Sequence, residues 1–215
     1  MRKANVFIPS STYYEYSAKE LSKKTWPDFE KLFLKRGIGD GWWCWCTYHH
    51  QLSHHSAGNK QLSTRAKMAT RNRREKRTLV EKGQAHGVII YANEEPVGWC
   101  QYGPKEELPR IDNSPRYRRL NLEDGPDNRS WRITCFIVHE NHRGHGVASA
   151  ALEAALDAIR RKGGGLVEAC PVSKTDQGSN YLYSGTVTMF ERAGFKIVGL
   201  LSDGRTSTVV MQRTI

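Results

Sequence analysis

With 215 residues, 38% of them hydrophobic and 26% charged, the chain has room for one ordinary globular core. It is too apolar for a disordered tail and has no apolar run long enough to cross a bilayer, so a membrane role is set aside. A net charge of +11 predicts attraction to anions, whether nucleic acid, an acidic surface or the phosphates of a cofactor, and a motif must choose among them. Residues 1–24 mix Tyr, Ser, Glu and Lys and build no secretory core, which places the expected location in the cytoplasm. Of the five cysteines, Cys100, Cys135 and Cys170 lie in apolar runs where thiols pack as small hydrophobes, and no disulfide framework is indicated.

In chain order, residues 26–35 predict a short helix opened by Thr25 and Pro27 with Phe29, Leu32 and Phe33 on one side. Residues 37–58 form a loop crowded with Trp, Cys and His, and 61–82 a long basic helix ended by Gly83. The runs 87–91 (GVIIY) and 97–102 (VGWCQY) predict an antiparallel hairpin. Residues 105–130 lack periodicity, as a segment covering a substrate would. A central strand at 131–138 (WRITCFIV) leads to a helix at 147–159, striped by Val147, Ala151, Leu152, Ala155, Leu156 and Ile159. A strand at 166–172, a helix at 185–193 and strands at 195–200 and 206–211 complete the order. We expect residues 1–84 to be a helical and aromatic elaboration packed on a core of residues 85–215, in a single domain.

The most informative segment runs from Val138 to Ala148 (VHENHRGHGVA), leaving a strand, turning on Gly144 and Gly146 and entering a helix. Glycines let the backbone approach an anion, and the free N–H groups at the start of the next helix complete a phosphate cradle beside Arg143. The Walker spacing is absent, and a dinucleotide-binding loop would need a third glycine where Ser149 stands. The spacing instead is Arg143-x-x-Gly146-x-Ala148. It resembles motif A of the GNAT acetyltransferase superfamily, and the segment 189–195 (MFERAGF) resembles that family's late helix-to-strand segment.

The resemblance implies an α/β fold with a mixed, mostly antiparallel central sheet, flanked by helices and splayed between its fourth and fifth strands, here 131–138 and 166–172. It implies acetyl-CoA as co-substrate. Phe136, Ile137 and Val138 would pair with its pantetheine arm, and Arg143, Gly144, His145, Gly146, Val147 and Ala148 would hold its pyrophosphate. Many members use a tyrosine as the acid for the departing thiolate. Phe190 stands at that position here and is expected to pack against cofactor or core.

Acetyl transfer needs a base for the amine and an acid for the thiolate. Tyr183, two helical turns before Phe190, is the replacement acid if the helix reaches back that far, with a half-buried helix-entry residue as the alternative. Glu168, alone among apolar neighbours in its strand, is the candidate base, with solvent exposure by alternation as the alternative and Glu140 and Glu107 as rivals. Cys135 and Cys170 are read as core residues in preference to nucleophiles. Cys44 and Cys46 with His49, His50, His54 and His55 do not match a familiar zinc frame, and no metal is predicted. Trp42, Trp43, Trp45 and Tyr48 either wall a substrate pocket or plug the sheet's end.

The basic residues of 60–82, Lys76 among them, read as a solvated face in preference to an RNA site. The expected activity is transfer of acetyl from acetyl-CoA to the primary amine of a small metabolite or antibiotic-like molecule. A protein lysine or N-terminal acetyltransferase is the nearest alternative, a non-catalytic CoA-sensing or RNA-binding module the alternative from another class. Self-association as a homodimer is left open.

Overall fold

The computed structural model describes residues 4–6, 15–35, 38, 43–51, 64–125, 127, 129–175, 179–202 and 206–215. Among them, nine strands form one sheet. β1 (Ala4–Val6) pairs with β2 (Tyr16–Glu20), which pairs with β3 (His86–Ala92). β3 turns through Asn93 and Glu94, both at positive φ as a two-residue hairpin requires, into β4 (Glu95–Pro104). β4 pairs with β5 (Ser130–Val138), and β5 lies parallel to β6 (Leu166–Ala169). All other pairings are antiparallel: β9 (Thr206–Thr214) takes β6 and β7 (Val172–Thr175), and also β8 (Lys196–Ser202).

Alternation along the hairpin divides the core between the two faces of the sheet. Val88, Ile90 and Cys100 face the side of α4 (Val147–Arg161), whose stripe of Val147, Ala151, Leu152, Ala155, Leu156 and Ile159 is fully buried. Ile89, Tyr91 and Trp99 face the other side and meet α1 (Trp26–Leu34) and α2 (Arg65–Glu81). Each buried Leu or Ile contributes roughly 1.5–3 kcal/mol, so these two apolar layers fix the sheet between its helices. α1 has Pro27 in its first turn as expected, but the Thr25 hydroxyl donates to Glu20 O at 2.8 Å instead of capping the helix.

Three expectations change. The strand predicted at 166–172 breaks after Ala169: Pro171 has no N–H for a ladder, and its carbonyl accepts from Val209 N at 3.1 Å before β7 resumes. The segment 105–130 is not wholly irregular, since it carries tight 3₁₀ turns at Lys105–Glu107 and Pro109–Asn113 and the short α3 (Pro115–Arg118). Finally, α5 (Val187–Arg192) starts late, its Thr186 side chain accepting from Met189 N, so Tyr183 lies outside it in the 3₁₀ segment Ser179–Ser184.

Candidate active site

β5 ends at Val138, and the chain reaches α4 through two left-handed glycines, Gly144 at φ 76° and Gly146 at φ 77°. A side chain at such a residue costs roughly 1–2 kcal/mol. Gly146 is the N-cap of α4 and offers no side-chain cap. The first helical bond runs from Ala150 N to Gly146 O at 3.0 Å, so the N–H groups of Val147, Ala148 and Ser149 have no acceptor within the helix. They border an open depression of about 170 Å³ lined also by Val138, His142, Arg143, Gly144 and Gly146. Arg143 is exposed, and its Nε donates to Val138 O at 3.2 Å. His145 is held back by a 2.8 Å bond between its Nδ1 and Arg143 O. A turn with bare amides, a positive helix end and an arginine fits phosphate oxygens.

Next to this turn the sheet opens. β5 and β6 are in register from Ser130↔Leu166 to Ile133↔Ala169, and no further. At that point β5 carries a bulge, because Gln101 of β4 faces Cys135 while Tyr102 faces Ile133, leaving Thr134 over. Beyond it Phe136, Ile137 and Val138 pair with Cys100, Trp99 and Gly98 on one edge and with no strand on the other, among the described residues. The mouth of this opening holds a cavity of about 40 Å³ between β5 and β6, lined by Arg132, Thr134, Glu168 and Cys170, and by His49, Ile111 and Ser184 from the surrounding turns.

The cavity wall is an ion cluster. Glu168, 6% exposed, accepts from the Tyr117 hydroxyl at 2.8 and 2.7 Å, from Arg132 Nε at 3.1 Å and from Gln212 Nε2 at 3.2 Å. Arg132, 2% exposed, also donates to Asp112 and to Leu108 O. Burial disfavours the Arg132 charge, but Asp112 and Glu168 outweigh it and hold the guanidinium firmly protonated. Burial and the Glu168 carboxylate push the Tyr117 hydroxyl well above its usual range. His49 is brought down to about 3 by burial first and then by Arg110, Arg132 and Lys76, so it presents a neutral imidazole.

The predicted residues fall into separate groups. Val138, Arg143, Gly144, Gly146, Val147 and Ala148 converge on the depression, and Phe136 and Ile137 lie on the opened part of β5. Glu168 lines the cavity, although both its oxygens are already engaged. Tyr183 is half exposed on a turn beside β5, and Gly185 at φ 83° separates it from α5, so the two-turn spacing to Phe190 does not apply. Phe190 is fully buried, edge-on to Phe136 at 6.0 Å and to Phe195 at 5.0 Å, and packs in the core. Glu140 is exposed, while the backbone of Glu107 accepts from His50 Nδ1 at 2.9 Å. The sequence reading passed over Arg132, Tyr117 and Asp112, and weighed His49 only as a metal ligand. The available signal was an arginine in one buried strand and a glutamate in the next.

The aromatic loop and the basic helix together build the second core. Trp45 is 2% exposed and stacks on Phe33 at 5.2 Å and on Trp26 at 6.2 Å, so it plugs the sheet. Lys76, expected on a solvated face, is fully buried: with Ala69, Asn72 and Val80 it forms the inward stripe of α2. Its Nζ donates to His50 Nε2 at 3.2 Å and Cys46 O at 3.4 Å. Trp42, His54, His55 and Lys60 lie outside the described residues. Among the described residues no three His, Cys, Asp or Glu side chains gather as metal ligands, and no helix is long and apolar enough to cross a membrane.

The acetyltransferase (GNAT) family pattern matches residues 42–186, well over half of the chain. No curated protein sequence matches it. Among solved structures, the chain is similar to a Desulfovibrio desulfuricans protein assigned to the GNAT family, at 14% identity, TM-score 0.52, and coverage of 93% of this chain and 98% of that one. An N-acetyltransferase from Staphylococcus aureus gives 12% identity, TM-score 0.52, and the same 93% and 98% coverage. The ribosomal-protein acetyltransferase RimL gives 16% identity, TM-score 0.50, and 97% coverage of both chains. At these identities the likeness is one of fold.

Proposed function

The chain belongs to the acetyltransferase (GNAT) family of acetyl-CoA-dependent enzymes, and from that premise we propose that it acetylates the primary amine of a small molecule. The observation that carries the reading is the parting of β5 from β6 at Thr134, next to the glycine turn and ending in a small cavity. In this reading the amides of residues 146–149 and Arg143 hold the pyrophosphate of acetyl-CoA, and the open backbone edge of Phe136, Ile137 and Val138 takes its pantetheine arm. When bound, acetyl-CoA supplies an acetyl group activated as a thioester.

The acceptor side belongs to this chain. Ile111 and Tyr117, from the segment expected to cover a substrate, close over Arg132 and Glu168, and a covered cavity suits the amine end of a small molecule better than an extended peptide. Glu168 draws in the ammonium and takes its proton, exchanging the Tyr117 hydrogen bond for one from the amine. Tyr183, at the exposed end of its turn, is the candidate to protonate the departing thiolate, since Phe190 has no hydroxyl and no exposed surface. Residues 1–84 serve as an elaboration that supplies His49 to the cavity wall of a cytoplasmic enzyme.

The test is calorimetric titration of acetyl-CoA into the wild type and Gly146→Trp, whose side chain would fill the left-handed turn. We expect micromolar binding that the variant loses, followed by thiol release with amines that Glu168→Gln no longer supports. A wild type that does not bind acetyl-CoA would overturn the reading.

A further inference from the structure

The face of β5 opposite α4 carries a group that acetyl transfer does not use. The Lys76 ammonium is fully buried, and among the described residues no carboxylate lies within ion-pair distance of it. Its neighbours are the Cys46 carbonyl, the Trp99 ring at 5.7 Å and His50 Nε2. His50 cannot supply a negative charge: its Nδ1 hydrogen points to Glu107 O, and its Nε2 accepts from both Lys76 and Gln101. Of the acidic groups that act on Lys76, the thiols of Cys46, Cys44 and Cys135 come first and the Glu107 carboxylate last. Cys46, 2% exposed, lies with its Sγ 3.2 Å from Cys135 Sγ, and the two share one hydrogen bond.

The backbone holds this sulfur in place. Trp45 and Cys46 both adopt left-handed φ, 50° and 49°, in succession, a conformation that a tryptophan and a cysteine keep only where the surroundings enforce it. The indole of Trp45, stacked in the aromatic core, does so. We propose that Cys46 and Cys135 form a peroxide-reactive thiol pair, in which Cys46 attacks as a thiolate beside the Lys76 ammonium and Cys135 resolves the product into a disulfide. In the first step the Cys46 sulfur bonds to one oxygen of hydrogen peroxide, the O–O bond breaks and hydroxide leaves, to be protonated to water; sulfur is oxidised by two electrons to sulfenic acid. In the second the Cys135 sulfur bonds to Cys46 sulfur, the S–O bond breaks, and water leaves with the Cys135 proton.

The order of attack follows from the surroundings. Burial opposes ionisation of Cys46, but the bond from Cys135 and the Lys76 charge outweigh it and draw the thiol below its usual range. The other thiols move the opposite way: Cys44 is pushed up to about 11 by burial, and Cys100 and Cys170 also rise with burial. Cys135 rises through its bond with Cys46 and then through burial, as suits the resolving partner.

The experiment is peroxide treatment of the reduced full-length protein, followed by alkylation and peptide mapping without reductant; it is independent of any acetyl transfer. The expected product is a cross-linked peptide pair joining Cys46 to Cys135, formed ahead of any change at Cys44, Cys100 or Cys170. In Cys135→Ser the sulfenic acid should persist on Cys46 and be captured by dimedone, and Lys76→Met should slow the reaction roughly tenfold. A wild-type map without the 46–135 link, or earlier oxidation of another cysteine, overturns the proposal even if neither variant folds. A Lys76→Met protein reacting at the wild-type rate removes the lysine from it.

Discussion

Replacing Lys76 by methionine should stabilise the protein at neutral pH, because the wild type stores a buried charge there. Burial, only partly offset by the nearby thiols and Glu107, lowers the lysine from 10.5 to about 8. That difference in proton affinity is worth roughly 3 kcal/mol, at about 1.4 kcal/mol for each factor of ten. The sign follows from proton counts. Below about 8 the amine is protonated in both folded and unfolded chains, and the fold bears the full cost. Between about 8 and 10.5 the unfolded chain holds the proton more tightly than the folded one, so stability rises with pH and the cost disappears. Methionine matches the stem of lysine and needs no partner, although its substitution forfeits the bonds to His50 and the Cys46 carbonyl, worth about 1 kcal/mol each. The net expectation is a gain of about 1–2 kcal/mol at pH 7, shrinking and then reversing as pH approaches 10.5. Urea unfolding at pH 7 and pH 10 with an unchanged m-value reads it directly. A loss of stability at pH 7, or a difference that does not vary with pH, would refute the argument.

Two further expectations concern charges in other parts of the fold. Glu168→Gln removes one of the two carboxylates facing Arg132, and because Asp112 remains, the cost should fall near the low end for a broken buried pair, about 3 kcal/mol, with acetyl transfer lost as well; an unchanged urea midpoint would show that the pair does not form. Glu20 ties β2 to the end of α4 through Arg161 and Lys162, and these with Tyr102 outweigh burial and bring its carboxyl down to about 2. The stability it contributes is complete above about 4.5 and is lost as pH falls towards 2, so Glu20→Gln should flatten the acid limb of a stability profile in that window. Parallel profiles for variant and wild type would exclude the linkage.

What the sequence disclosed depended on how local each demand was. The hairpin, the 131–138 strand and the 147–159 helix were legible because their apolar run or stripe is written in consecutive residues, both faces of β3 and β4 being buried. β2 was missed because only Tyr16 of its five residues is fully buried, leaving YSAKE without an apolar pattern. The glycine turn was legible for the same reason as the hairpin, since its left-handed conformation is a requirement on single residues. The buried lysine was not, because an inward stripe of Ala69, Asn72, Lys76 and Val80 is half polar and reads like its exposed neighbours. The ion cluster was hidden more deeply, as its members come together only after β5, β6, β9 and the 105–118 segment have assembled.

Arg132 and Glu168 are level with each other in the parallel pairing of β5 with β6. A slip of one residue would set Arg132 beside Val167 or Ala169 and put the two charges on opposite faces of the sheet, breaking the buried Arg132–Glu168 pair. The pair therefore fixes the register of the only parallel contact among the described strands, one residue before Ile133, where that contact ends and the sheet opens. The charges that line the cavity thus also determine where the two strands part, and a substitution that loosens the pair should displace the opening before it unfolds the sheet.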